Sequence, residues 1–137
     1  MEPRHARMDP LGLWTRHLDS VVSHPVVGAA DASMDPTQSP VTVLQVTSNT
    51  PADQLGVRRW SFALSITIIT YAEDISTAIT AHGEAADGIL EATSLDNGAV
   101  RVSSVRSTQE PEDVPVTSAT DWPGQLSSYT MYIRRED

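Results

Sequence analysis

Every second residue from Trp60 to Ile68 is large and apolar: Trp60, Phe62, Leu64, Ile66 and Ile68. Ser61, Ala63, Ser65 and Thr67 fill the places between them. Successive side chains of a strand point to opposite faces, so this period of two predicts a strand with one buried face and one small, polar face. Glu73-Asp74 ends the alternation. Ile75, Ala78, Ile79, His82, Ala86, Ile89, Leu90 and Thr93 then recur at steps of three and four, the spacing of an amphipathic helix. Asp74 is placed to accept a backbone N–H at the helix start, and Asn97-Gly98 reads as a stop signal shortly past its end. A long strand feeding an amphipathic helix across residues 57–93 is the frame to which the rest must fit.

With 137 residues the chain is expected to form a single domain, 1–137. Its hydrophobic content of 39% is low for one packed core, which implies that part of the chain is loop or arm. Eighteen acidic residues against nine basic ones give a net charge of −9, and all nine basic residues are arginine. That balance argues against tight nucleic-acid binding through phosphate neutralisation. Having no cysteine, the chain forms no disulfide and offers no thiolate to a metal. Arg4 and Arg7 are followed by no apolar stretch of the kind a signal peptide needs. The apolar run at 62–69 is too short to span a bilayer, so a soluble chain with no membrane partner is expected.

In chain order, residues 1–8 read as a flexible polar arm. Asp9-Pro10 opens a helix over 10–22, with Leu11, Trp14, Leu18, Val21 and Val22 at helical spacing and Pro25 beyond its end. Residues 28–40 read as a connecting loop. Val41 to Thr47 is β-branched enough for a strand, and the turn formers of 48–56 read as the loop of a hairpin to the long strand. Ala99 to Arg106 predicts a third strand, 107–124 a long polar loop with three prolines, and 126–135 a closing strand. The expected fold is therefore α/β in two layers (α+β): a small mixed four-stranded sheet with two helices packed on one face, in the order α-β-β-α-β-β. The strand–helix–strand unit would set the long and third strands parallel.

Chemical constellations are sparse. His5, His17, His24 and His82 show no metal-ligand spacing, so no metal is expected. His82 lies on the helix stripe, where a core or interface histidine is expected rather than a general base. No serine sits in a Gly-x-Ser-x-Gly elbow, and acid stands where a phosphate loop would need glycine. Glu73-Asp74 suits a helix N-terminus, and Glu112-Asp113 lies in the long polar segment. No catalytic residue, enzyme activity or cofactor is expected. Arg58-Arg59 and Arg134-Arg135 sit at strand ends, either as solvated termini or as intersubunit partners of the acidic segment. Trp122, in Asp-Trp-Pro-Gly, either caps the core or anchors a partner, and the interface reading is favoured. The candidate interface is Arg58, Arg59, Glu112, Asp113, Trp122, Arg134 and Arg135.

This layout resembles the tail terminator (minor tail, or tail-completion) proteins of long-tailed siphophages. The resemblance spans residues 9–137 as a pattern of elements. It is carried by Arg58-Arg59-Trp60-Ser61-Phe62 through Ile89-Leu90, by the polar proline-containing loop, and by the closing Tyr129-Thr-Met-Tyr-Ile-Arg-Arg. It implies a structural virion protein forming a homo-hexameric ring on the head-proximal end of the tail tube. Such a ring stops tube polymerisation and offers the surface for head–tail joining. The implied partners are other copies of the chain, the tail tube protein and the head–tail connector proteins, with DNA only passing through the channel. The implied location is the tail-neck region of the virion, after assembly in the host cytoplasm. The extended start, 1–8, and residues 28–40 depart from the pattern. A head-closure or connector ring protein is the nearest alternative, and a small ligand-binding α/β domain is a further one.

Overall fold

The computed structural model describes residues 9–28, 35–51, 61–114 and 122–135. The elements are α1 (Pro10–Val21), β1 (Val26–Val27), β2 (Val41–Pro51), β3 (Ser61–Tyr71), α2 (Ile75–Leu90), β4 (Ser94–Leu95), β5 (Val100–Val114) and β6 (Gly124–Arg135). The six strands form one mixed sheet in the order β1-β2-β3-β6-β5-β4, curled into a half-barrel. This corrects the expected four-stranded sheet and its α-β-β-α-β-β order. The two additional strands are two residues long and lie at the sheet edges, β1 parallel to β2 and β4 antiparallel to β5. Two residues cannot display a period, so nothing in their pattern marks them. The long strand and β5 do run in the same direction, since both pair antiparallel with β6, but β6 separates them.

Inside β3 the alternation is complete: Phe62, Leu64, Ile66, Ile68 and Thr70 are buried, while the residues between them are half-buried. Each fully buried aliphatic or aromatic side chain contributes about 1.5–3 kcal/mol. Across β6 the same face carries Tyr129, Met131 and Ile133. Leu13, Trp14 and Leu18 of α1 join Ala85, Ala86 and Ile89 of α2 in this one core. Helix α1 touches β1 and β2 at one edge and β4 at the other, as the curl of the sheet requires. The helices approach closely at Gly88, where an added Cβ would stand 2.9 Å from Leu18 and 3.0 Å from Val21. Both helix starts are capped: Asp9 accepts from the Gly12 N–H at 3.0 Å, and Asp74 from the Thr77 N–H at 2.8 Å.

Three segments depart from the sequence reading. Strand β2 continues through Ser48, Asn49 and Thr50, after a bulge beyond Val46 that absorbs their turn tendency. Strand β5 runs on through residues 107–114, within the segment expected as a loop. It pairs there with β6 alone, so Pro111 sits on an edge where no ladder donor is needed. Asn97-Gly98 does not stop α2, which ends at Leu90. It forms the tight connection from β4 to β5, with Asp96, Asn97 and Gly98 all at positive φ (52°, 54° and 91°).

Candidate functional site

A chain of six buried polar side chains crosses the core face of the sheet beneath α2. His24 Nε2 lies 2.8 Å from Thr42 Oγ1, which lies 2.8 Å from Thr70 Oγ1. Thr70 Oγ1 is 2.9 Å from His82 Nδ1, and His82 Nε2 is 2.7 Å from Ser127 Oγ. Ser127 Oγ in turn is 2.8 Å from the Tyr129 hydroxyl. Strand register assembles the row. Thr42 stands opposite Thr70, and β6 pairs beside β3 so that Ser127 and Tyr129 share the buried face. His82 reaches down from α2, 1% exposed, and joins the two halves.

Each hydroxyl carries one proton, so the donors must all point one way. Run one way, the row starts at Tyr129, whose O–H donates to Ser127, Ser127 to His82 Nε2, His82 Nδ1–H to Thr70, Thr70 to Thr42, and Thr42 to His24 Nε2. Run the other way, it starts at His24 Nε2–H and ends on the Tyr129 oxygen. Both histidines are then neutral. Burial, followed by the proximity of the second imidazole at His24, pushes the His82 pKa down to about 4. Burial also holds His24 below its ordinary value, against the opposing pull of Glu84. Burial raises the Tyr129 phenol.

Ser127 and His82 have the spacing of a nucleophile and its base. Their surroundings are those of a structural pair. His82 Nδ1 meets a threonine hydroxyl instead of an orienting carboxylate, its pKa is displaced away from neutrality, and Ser127 is wholly buried. The His24 end borders a surface cleft of about 320 Å³ lined by Ser39, Ser76, Thr77, Thr80 and Glu84. Glu84 accepts from the Ser23 backbone N–H and, at 3.3 Å, from its hydroxyl, tying α2 to the end of α1. No group of three or more metal-ligating side chains is present among the described residues. No helix among them is long and apolar enough to cross a membrane.

The residues singled out in the sequence do not converge. Glu112 and Asp113 lie near the far end of β5 and face opposite sides of the sheet. Glu112 accepts from Gln109, while Asp113 accepts from the buried side-chain amide of Gln125. Trp122 stands just before β6, 37% exposed, next to Pro123, whose carbonyl accepts from the Ala72 N–H at 3.1 Å. Arg134 lies at the other end of β6, opposite Ser61 and Arg101. Arg58 and Arg59 lie outside the described residues, as does the side chain of Arg135, whose backbone pairs with Val100.

Sequence reasoning missed Thr70 and Ser127 as partners of His82, and Thr42 and Tyr129 as the next members of the row. It also missed Tyr132 and Arg106 on the helix-free face of the sheet. There Arg106 stands opposite Thr130, and a hollow of about 330 Å³ is lined by Ser65, Ser104, Arg106, Thr130 and Tyr132. The central helix is rotated from its expected phase. Ala81 and Ala85 are buried, while Ile75, Ile79 and Leu90 are exposed. No protein-family model matches the chain, and no curated protein matches its sequence.

Proposed function

We propose that the chain is a ring-forming structural subunit of the tail terminator type, closing the head-proximal end of a phage tail tube and presenting the surface to which the head joins. What carries the reading is the segregation of charge on a chain of net charge −9. The far end of β5 and the solvent side of α2 are acidic (Glu110, Glu112, Asp113, Glu84, Asp87 and Glu91). Arg101, Arg106 and Arg134 lie on the helix-free sheet face between the middle of β6 and its C-terminal end. A closed ring of identical copies needs two unlike surfaces on each subunit, because a head-to-tail contact joins different patches. An acidic surplus would also let DNA pass through the channel without sticking. A head-closure ring subunit shares these requirements, and binding to tube ends separates the two.

The deciding experiment adds purified protein to polymerising tail-tube subunits and images the tubes. Density capping one end, with growth stopped there, is the expected result. Tubes that lengthen unchanged and bare would overturn the reading. Trp122→Ala is expected to leave the melting temperature within about 2–4 °C of the parent, because a part-exposed side chain releases little buried area. The same substitution should weaken capping or head joining, as removal of a large aromatic anchor does. A collapse of the melting temperature would place Trp122 in the core instead.

A further inference from the structure

We infer that successive subunits meet through two surfaces: the exposed flank of α2 on one copy and the arginine-bearing part of the helix-free sheet face on the next. The inference rests on the ring reading above and specifies its contact. Ile75, Ile79 and Leu90 are 39%, 52% and 46% exposed. At 100° per residue they fall within about 60° of one another around the helix, a single apolar ridge along its length. The ridge runs beside acid. Asp87 is exposed on α2 and Glu91 at its C-cap, about 60° and about 100° round the helix axis from Leu90. Helix α2 contains no arginine.

The opposite surface has the complementary pattern. Tyr132, 47% exposed, is the large apolar group there. Register places Ser103 and Ala63 directly across from it, with Arg106 opposite Thr130 two residues before it on β6 and Arg101 opposite Arg134 two residues after it. A bulge between Ser103 and Arg106, with Ser104 at φ 55°, opens the hollow beside Tyr132. An apolar ridge with an acidic rim fits an aromatic knob with a basic rim, and one chain carries both. The occupant is therefore a second copy, bound head to tail, which is the geometry that closes into a ring.

Because the chain has no cysteine, an engineered pair reports this contact without background. Ile79→Cys protein mixed with Tyr132→Cys protein is oxidised mildly, alone and on tail tubes. The expected product is a disulfide-linked dimer from the mixture and a ladder from the double variant. Arg106→Glu is expected to weaken association about tenfold, and Asp87→Arg in the same chain to restore it, while either variant keeps the parent circular dichroism. Rings that form and cap tubes without this crosslink would overturn the contact and leave the terminator reading standing. Crosslinking of Ile79→Cys to itself, or to the tube subunit, would also overturn it. A chain that stays monomeric at every concentration and leaves tube ends bare defeats both.

Discussion

Acidification from pH 6.5 to pH 4 is expected to remove about 3 kcal/mol of folding stability through His82 alone. In the unfolded chain this imidazole takes up a proton near pH 6.5, whereas in the fold it does so only near pH 4. Between those values the unfolded state binds more protons, so stability falls as the pH falls; above the window the full contribution is present. The cause is visible in the hydrogen-bond row. A second proton on His82 makes both ring nitrogens donors, so whichever flanking hydroxyl, Ser127 or Thr70, had donated to the ring loses its acceptor. His24 adds to the slope in the same direction, reduced by the Glu84 carboxylate. The measurement is the urea midpoint of the parent and of His82→Gln at pH 7 and pH 4.5. The parent should lose much more than the variant, whose amide does not titrate. Equal losses would show that His82 is not held neutral by the fold.

How far the fold could be read depended on whether a segment's neighbours agree with its own preferences. The period of two in β3 survives because that strand is central and its two faces see different environments. Strand β5 is less visible. Glu110, Pro111, Glu112 and Asp113 are depleted from strands in general, yet an edge tolerates them and charge there discourages pairing with foreign strands. The Asn97-Gly98 signal was genuine but belonged to a hairpin turn, which only the partner strand Ser94–Leu95 reveals. The phase of α2 was misjudged for a different reason. Ala78, His82, Ala86 and Ile89 are buried as the stripe predicts, but weighting by hydrophobicity added Ile75, Ile79 and Leu90, whereas the close approach of sheet and α1 demands the smaller Ala81 and Ala85.

Legibility of the site followed the same rule. His82 stood out because a histidine on a helix stripe needs a partner, and burial of an imidazole without one is costly. Its partners did not stand out. Thr70 and Ser127 continue alternating patterns that end apolar in most strands, and serine or threonine there is indistinguishable from a polar face without the register. The candidate interface residues were legible as charge and illegible as geometry. Glu112 and Asp113 are neighbours in sequence, yet as strand residues they face opposite sides of the sheet.

Trp14→Ala is expected to cost about 3–5 kcal/mol, the most damaging single truncation in the core. Trp14 is fully buried among Leu13, Leu18 and the sheet, with its ring edge-on to His17 at 5.7 Å and 87°. Removing the indole leaves a cavity that the surrounding β-sheet cannot collapse to fill. The indole Nε1 meets no hydrogen-bond partner among the described residues. Trp14→Phe therefore deletes an unsatisfied donor along with some volume, and should cost well under half as much as alanine. Denaturant titration of Trp14→Ala, Trp14→Phe and Trp122→Ala provides the comparison, with Trp122→Ala close to the parent. That ordering carries functional weight. If a solitary subunit depends on Trp14 and not on Trp122, the core closes within one chain, and the proposed ring contacts would add to a fold that is already formed. If the two alanine variants were equally unstable, the exposed tryptophan would be part of the core, and the surface assigned to assembly would have to be sought elsewhere.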